Sequence, residues 1–280
     1  LGDVYKRQHQ LRRGKITGSN MAAAAGLNPY KSRGAVWDIM TGRKEPPDLS
    51  GVPAVRHGSE TEPLAINAYE AVSGNFGVQS TGIVLDGVDG YIAASPDGFC
   101  GPLDEHERGT IYLEVKCPYG RDGSGIRLYD EVPEYYLPQV QGGMSVTRRE
   151  VCHFVCYVPG LRGDNPETGE VDVVLRPEQI CIWEIQAHTE YQAVLRDLLR
   201  GFMGKYVVPH KRPPKLSRRP EMPYVTTKVV YRGPVDRAIK PGPCESCEGA
   251  GWIGQMGSDN TDLYEVECDD CGGKGVCTPG

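Results

Sequence analysis

Two acids and a lysine stand in this chain where a turn and a strand that only had to fold would carry other residues. Residues 93–98 read AASPDG and residues 111–118 read IYLEVKCP. Asp97 sits on the turn Ser95-Pro96-Asp97-Gly98, and Glu114 and Lys116 end an apolar run where Val, Ile or Thr would be usual. Residues two apart in a strand share a face, so Glu114 and Lys116 project together while Leu113 and Val115 enter the core. If the YIAAS strand (91–95) pairs beside IYLEVK, the turn after it delivers Asp97 to the same spot. Hard oxygen ligands with open positions suit Mg²⁺ in phosphate chemistry, and a lysine steadies an attacking water or a phosphate oxygen. The combination fits phosphodiester hydrolysis. Each piece alone is unspecific: EVK is commonly a solvated strand face, and SPDG an ordinary type I turn.

The elements that must position this trio follow from periodicity and breakers. Ser19 is expected to cap a short helix over NMAAAAG that stops at Gly26. A longer helix is expected over ETEPLAINAYEAVSG, with Leu64, Ala65, Ala68 and Tyr69 inward and Gly74 at its end. YIAAS and IYLEVK read as strands joined by a polar, Gly-containing loop. EYYLPQVQGGMSVT reads as a helix that tolerates Pro138 only in its first turn. VCHFVCYV and VDVVL read as further strands, and TEYQAVLRDLLRGFM as a closing amphipathic helix. The pattern predicts an α/β (α+β) domain with a central mixed sheet flanked by helices.

The 280 residues, 39% of them hydrophobic, allow one medium domain with a real core plus a small appendage. No run approaches the roughly 20 apolar residues of a membrane helix, and no secretory leader is visible, so a cytoplasmic location is expected. The opening LGDVYKRQ (1–8) lacks periodicity and reads as a truncated or foreign start. The net charge of −6 argues against nucleic acid, but its distribution does not. Residues 205–243 hold ten basic side chains against Glu221 and Asp236, together with eight prolines. This segment is expected to be an extended linker, either a solvated tether or a contact to a DNA backbone. The domain after Gln8 is accordingly expected to span 9–204.

The C-terminal segment, 244–277, carries a second constellation. CESCEGAG (244–251) and CDDCGGKG (268–275) are repeats of one CxxCxGxG-like pattern, with twenty residues between the two CxxC pairs. Four thiolates from Cys244, Cys247, Cys268 and Cys271 at this spacing fit one tetrahedral structural Zn²⁺, with a disulfide framework as the alternative. The repeats resemble half of the DnaJ cysteine-rich domain, and Cys277 reads as a spare. Cys117, Cys152, Cys156 and Cys181 fall in or beside apolar strands and read as buried thiols, with Cys100 open. His153 reads as a packed strand residue.

Asp97 and Glu114-Val115-Lys116, seventeen residues apart in this order, resemble the PD-(D/E)XK nuclease superfamily. LRRGKITGS, GSETEPLAINAYE, ASPDG, LEVKCP and LPQVQGGMSVT narrow the resemblance to the lambda-exonuclease-like, or YqaJ-type viral recombinase, family over roughly Leu11 to Tyr157. That resemblance implies a restriction-endonuclease-like core and a phage-encoded 5′→3′ exonuclease on double-stranded DNA ends. It further implies two Mg²⁺ or Mn²⁺ ions, a ring-shaped homotrimer and a single-strand annealing protein as partner. By resemblance, Asp97 and Glu114 are metal ligands with the Val115 carbonyl, and Lys116 positions or activates the water. Glu62 matches a helical glutamate near the metals and Gln139 a helical glutamine at the site, although Pro138 precedes it directly. Arg12 and Ser19 match the receptor for the DNA 5′-phosphate. Their own chemistry agrees, since a helix N-terminus, a hydroxyl and a guanidinium make an anion pocket. A related nuclease of other polarity, and a DNA-binding adaptor with a vestigial site, are the alternatives.

Overall fold

A computed structural model describes Arg12, residues 14–120, 126–163 and 173–235, and the backbone of four short strands within 242–277. In chain order, β1 (Ile16–Thr17) runs into α1 (Gly18–Ala25), followed by α2 (Arg33–Met40) and α3 (Pro53–Ser73). Next come β2 (Val84–Leu85), β3 (Ile92–Ala94), β4 (Gly98–Leu103) and β5 (Gly109–Lys116). A 3-10 turn at Glu134–Tyr136 feeds α4 (Leu137–Thr147). Then follow β6 (Val151–Val158), β7 (Leu161–Gly163), β8 (Val173–Arg176), β9 (Gln179–Gln186), α5 (Thr189–Phe202) and β10 (Thr227–Pro234). The C-terminal strands are β11 (Gly242–Pro243), β12 (Trp252–Met256), β13 (Leu263–Glu267) and β14 (Val276–Cys277).

The central sheet has the order β10-β9-β6-β5-β4. Only β5 and β6 run parallel, and α4 lies in the crossover between them. The other pairs in this sheet are antiparallel, so it is mixed, as the pattern predicts. The period-2 alternation of β5 divides its side chains between two cores. Leu113 and Val115 pack with Ala65, Ala68 and Tyr69 of α3. Tyr112 packs with Met21 of α1, Met144 of α4 and Leu195 of α5 on the opposite face. Glu114 and Lys116 therefore point toward the α1–α4–α5 side.

Several expectations are corrected. YIAAS does not pair with IYLEVK: β3 joins β1 and β2 in a separate small sheet, and GFCGPL, read as the start of a loop, forms β4 against β5. Its apolar residues are few and its glycines many, so periodicity hides it, but the backbone pairing Gly98↔Leu113 still forms. Leu64 is 44% exposed rather than inward, because α3 begins at Pro53 and buries the stripe through Ala65, Ala68 and Tyr69 instead. The cap of α1 is Thr17, not Ser19; Ile16–Thr17 is held extended beside Ile92–Ala93, so the helix starts directly at Gly18. β9 has no counterpart in the expected elements, yet it lies between β6 and β10, since QICIWEIQ is apolar enough to be buried on both faces.

The segment expected as a linker is in large part packed structure. Met203–Val207 forms a π turn that prolongs α5, and β10 extends the sheet along β9 from Thr227↔Ile185 to Pro234↔Gln179. Between them the chain is a strap whose Arg212 forks onto Asp38 at 2.6 and 3.1 Å. Val207 and Val225 are buried at its two ends. Proline excludes helix here, but extended chain still docks through its backbone carbonyls and apolar residues. The zinc ligands expected at Cys244, Cys247, Cys268 and Cys271 lie outside the described residues. None of the helices among the described residues is long and apolar enough to cross a membrane.

Candidate active site

Glu114 is the centre of the site, fully buried on β5. Its Oε1 accepts a hydrogen bond from Gln139 Nε2 of α4 at 2.6 Å and forms an ion pair with Lys116. Its Oε2 accepts a longer one from Tyr112, at 3.4 Å. Asp97 arrives on the turn that opens β4. Its amide donates to Leu113 O at 3.1 Å, and its Oδ2 accepts from the Val115 amide at 2.7 Å. The ladder between β4 and β5 is thus extended by a carboxylate, which fixes Asp97 against the strand that carries Glu114. Asp97 Oδ1 has no hydrogen-bond partner among the described residues.

Burial raises the Asp97 and Glu114 carboxyls above their usual range; the Lys116 charge opposes this at both, and the Asp97 charge further raises Glu114. Burial also disfavours the Lys116 ammonium, but Glu114 and Asp97 more than offset it and hold its pKa above the ordinary lysine value. Glu62, half-buried on α3, is likewise raised by burial and by repulsion from Asp97, with Lys116 opposing. Glu62 therefore belongs to the same electrostatic cluster, although it makes no hydrogen bond to the other three. Three acids against one lysine leave the cluster with unbalanced negative charge.

Pro138 and the two glycines of α4 explain how Gln139 reaches Glu114. Pro138 occupies the first turn, where its missing N–H costs nothing. Gly142 faces Met21, and a Cβ on Gly143 would lie 2.5 Å from the Tyr112 hydroxyl. Both glycines let α4 lie close over β5 and α1. A Cβ on Gly18 would in turn meet Gln139 Cγ at 3.3 Å, so the start of α1 also abuts the glutamine.

Arg12 and Ser19 lie around this centre without touching each other. Arg12 donates to Ser95 Oγ at 3.4 Å, two residues before Asp97. Ser19 is exposed in the first turn of α1, with its Oγ 3.4 Å from Thr17 Oγ1, and Thr17 makes no side-chain cap bond. Three residues escaped the sequence reading. Tyr112 precedes Glu114 by two and shares its face, a signal already present in the alternation. Tyr136, whose ring centroid lies 5.1 Å from Lys116 Nζ, precedes Gln139 by three in the same helical run. Ser95 shares the turn with Asp97.

The donor set suits a hard divalent cation: a half-buried carboxylate with one unpartnered oxygen beside a second, fully buried carboxylate, in a cluster of net negative charge. Among the described residues, no group of three or more His, Cys, Asp and Glu side chains is arranged to hold a metal by itself. Among the described residues the thiols are poor candidates for a nucleophile: Cys100, Cys152, Cys156 and Cys181 are buried, and burial pushes the Cys117 thiol up to about 12.

The chain resembles known proteins both in sequence and in fold. It is 26% identical to protein D345L of African swine fever virus (strain Badajoz 1971 Vero-adapted), over 78% of this chain and 73% of that protein. Over a shorter stretch, 36% of this chain and 19% of the relative, it is 32% identical to uncharacterized protein R354 of Acanthamoeba polyphaga mimivirus. Its fold matches the crystal structure of an alkaline exonuclease (LHK-Exo) from Laribacter hongkongensis with a TM-score of 0.52 and 21% identity, covering 71% of this chain and 91% of that one. The shared architecture is the central mixed sheet with flanking helices of the PD-(D/E)XK type. Residues 8–150, just over half of the chain and including every residue of the Glu62–Asp97–Glu114–Lys116–Gln139 cluster, match the model of the YqaJ-like viral recombinase domain, and the chain belongs to that family.

Proposed function

We propose that this protein is a divalent-metal-dependent deoxyribonuclease that degrades linear double-stranded DNA from its ends, 5′ to 3′, in viral or phage recombination. The observation that carries the reading is the convergence of Asp97, Glu114 and Lys116 with Gln139 on one end of β5. The family membership and the exonuclease fold support it.

In this reading Asp97, Glu114 and the Val115 carbonyl hold Mg²⁺ or Mn²⁺, which when bound supplies a Lewis acid and an acidified water. Lys116, whose ammonium the Glu114 and Asp97 charges favour, positions or activates the attacking water or steadies a phosphoryl oxygen. Glu114 and the Tyr136 ring hold that ammonium in place, and Gln139 holds Glu114 in its rotamer. Glu62 adds negative charge that favours a cation over an empty cluster. Arg12 and the first turn of α1, with Ser19, receive the terminal phosphate.

The C-terminal module binds one structural Zn²⁺ through Cys244, Cys247, Cys268 and Cys271. The pairing of β12 with β13 supports it, because the register Trp252↔Glu267 folds the inter-pair segment back on itself as a hairpin from residue 252 to residue 267. A trimer around DNA and a single-strand annealing protein complete the proposal. Digestion of linear duplex labelled at the 5′ or the 3′ end, against a circular control and with Mg²⁺, Mn²⁺ or EDTA, tests the central claim. Release of label from 5′ ends only, dependent on metal, is expected; metal-independent or absent digestion would overturn it.

A further inference from the structure

A cleft of about 680 Å³ separates the α1–α2 connection from the strap formed by residues 212–219. Six basic side chains line it, Lys31, Arg33, Arg212, Lys215, Arg218 and Arg219, and no Asp or Glu among the described residues does. Such a cleft is conspicuous on a chain whose net charge is −6. It is held open by fixed contacts rather than by chance proximity. Arg212 is clamped on Asp38, Arg33 donates to the Pro214 carbonyl at 3.1 Å, and Trp37 Nε1 donates to the Tyr206 carbonyl at 2.9 Å. Arg218 pairs with exposed Glu221, whereas Lys215 and Arg219 are exposed and pair with no acid among the described residues.

Two routes join this cleft to the active site. Lys31 Nζ donates to Asn20 Oδ1 at 2.7 Å, in the same turn of α1 whose Gly18 abuts Gln139. The second route is aromatic. Lys116 lies over Tyr136, Tyr136 is 4.5 Å from Tyr135 between ring centroids, and Tyr135 meets Tyr30 edge to face at 5.4 Å. Tyr30 is 82% exposed and stands between Pro29 and Lys31, both of which line the cleft. A large exposed aromatic ring beside unpaired cations is the composition of a surface that tracks a nucleic-acid backbone and stacks its bases.

We propose that the cleft binds single-stranded DNA adjoining the cut site, with phosphates along Lys31, Lys215 and Arg219 and a base against Tyr30. The strand's origin rests on the nuclease reading; the binding itself does not. A rigid, proline-held strap suits this role because it presents its cations without first having to be ordered.

The test is the anisotropy of a labelled oligothymidylate with the full chain in EDTA, where nothing is cut, over a series of KCl concentrations. Lys215→Glu/Arg219→Glu is expected to weaken binding about tenfold or more at low salt and to lower the salt slope by about 1.4, two single-strand phosphate contacts. Tyr30→Ala is expected to weaken binding by roughly fivefold to a hundredfold with the slope unchanged. Lys215→Gln/Arg219→Gln guards against misfolding by charge reversal and should lose affinity to an intermediate degree. Variants that bind as the wild type does would overturn the proposal, as would a loss seen only with duplex. Loss of affinity in the variants, in a wild type that cleaves nothing with any metal, would refute the nuclease reading and leave the cleft standing.

Discussion

Gln139 Nε2 donates to Glu114 Oε1 over 2.6 Å, and that bond ties the first turn of α4 to the last turn-facing end of β5. Glu114 is fully buried, so its charge is tolerated only because Gln139, Lys116 and Tyr112 all address it. The site is thus a buried polar network supported from two elements, and its members act as a unit.

Replacing Asp97, Glu114 or Lys116 should abolish cleavage without unfolding the protein. Isosteric Asp97→Asn and Glu114→Gln keep the hydrogen-bonding shape and remove the negative charge; Lys116→Met keeps the stem and removes the ammonium. Losing one such electrostatic contribution typically costs about 10²–10³ in rate. Single-turnover digestion, with circular dichroism as the control for folding, is the measurement. Near-normal rates in a folded Asp97→Asn protein would remove the site.

Gly143→Ala should damage the same network from behind. Its Cβ would fall 2.5 Å from the Tyr112 hydroxyl, so α4 must lift or Tyr112 must move off Glu114. Overpacking of this kind costs roughly 1–3 kcal/mol. Thermal unfolding should register the destabilisation, and kcat should fall more than KM rises. Tyr112→Phe in the same background relieves the clash at the hydroxyl and should restore part of the stability.

What the sequence reveals and what it hides divides along physical lines. Glu114 and Lys116 are legible because a charge on a strand alternating with Leu113 and Val115 violates the demands of packing. Their face is confirmed by the separate cores of Tyr112 and of Leu113 with Val115. Glu62 carries no such signal of its own, since a glutamate in a helix is ordinary; the resemblance singles it out, and its repulsion from Asp97 in space marks it physically. β4 is hidden because Gly98, Gly101 and Pro102 lower its strand propensity, while its hydrogen bonds come from β5. The strap is hidden for the opposite reason. Its prolines and charges signal solvent, and its attachment depends on partners more than a hundred residues away in sequence, Trp37 and Asp38.

Metal affinity should fall as pH falls through and above the ordinary carboxylate range. Burial raises the Asp97, Glu114 and Glu62 carboxyls, so protons compete with the cation at pH values where exposed carboxylates no longer bind them. In the metal-free protein the sign for stability is also set. A carboxyl raised in the folded state contributes stability below its unfolded value and loses it as pH rises through the folded one. Unfolding without metal should therefore become easier between about pH 4.5 and neutrality, to the extent that these groups dominate. Added Mg²⁺ should reverse that trend. Calorimetric titration of Mn²⁺ at several pH values reads the first effect, and thermal melts with and without Mg²⁺ the second. Affinity independent of pH would show that these carboxylates are not the ligands.

Truncation should separate the strap from the C-terminal module. Ending the chain after Val235 leaves β10 paired with β9 along its length and should preserve the melting temperature and basal metal-dependent cleavage. Ending it after Lys205 removes β10, uncovers the edge of β9 and strips Val207 and Val225 from the core, so it should give insoluble or inactive protein. The full chain should hold about one zinc, by the four-ligand rule, and the form ending at Val235 should hold none. Metal analysis after gel filtration decides this; equal zinc in both would place the ion elsewhere.

Arg12 should set the preference for the end that is cut. Its guanidinium reaches Ser95 on the turn that carries Asp97, and the first turn of α1 offers uncapped N–H groups. A terminal phosphate bound there would gain charge-assisted hydrogen bonds that a 5′-hydroxyl does not make, and would anchor the strand with its next phosphodiester over Asp97 and Glu114. Duplex with a 5′-phosphate should accordingly be cut faster than duplex with a 5′-hydroxyl. Arg12→Ala should shrink that ratio while leaving Mn²⁺ affinity unchanged, because no metal ligand is touched. Arg12→Lys should restore the charge but not the fork, and recover only part of the ratio. The measurement is the ratio of initial rates on the two substrates for each form. A wild-type ratio near one, or a ratio that Arg12→Ala does not alter, would remove Arg12 from the phosphate pocket and leave the order of Arg12, Ser95 and Asp97 as a purely structural tie between the N-terminal segment and the β4 turn.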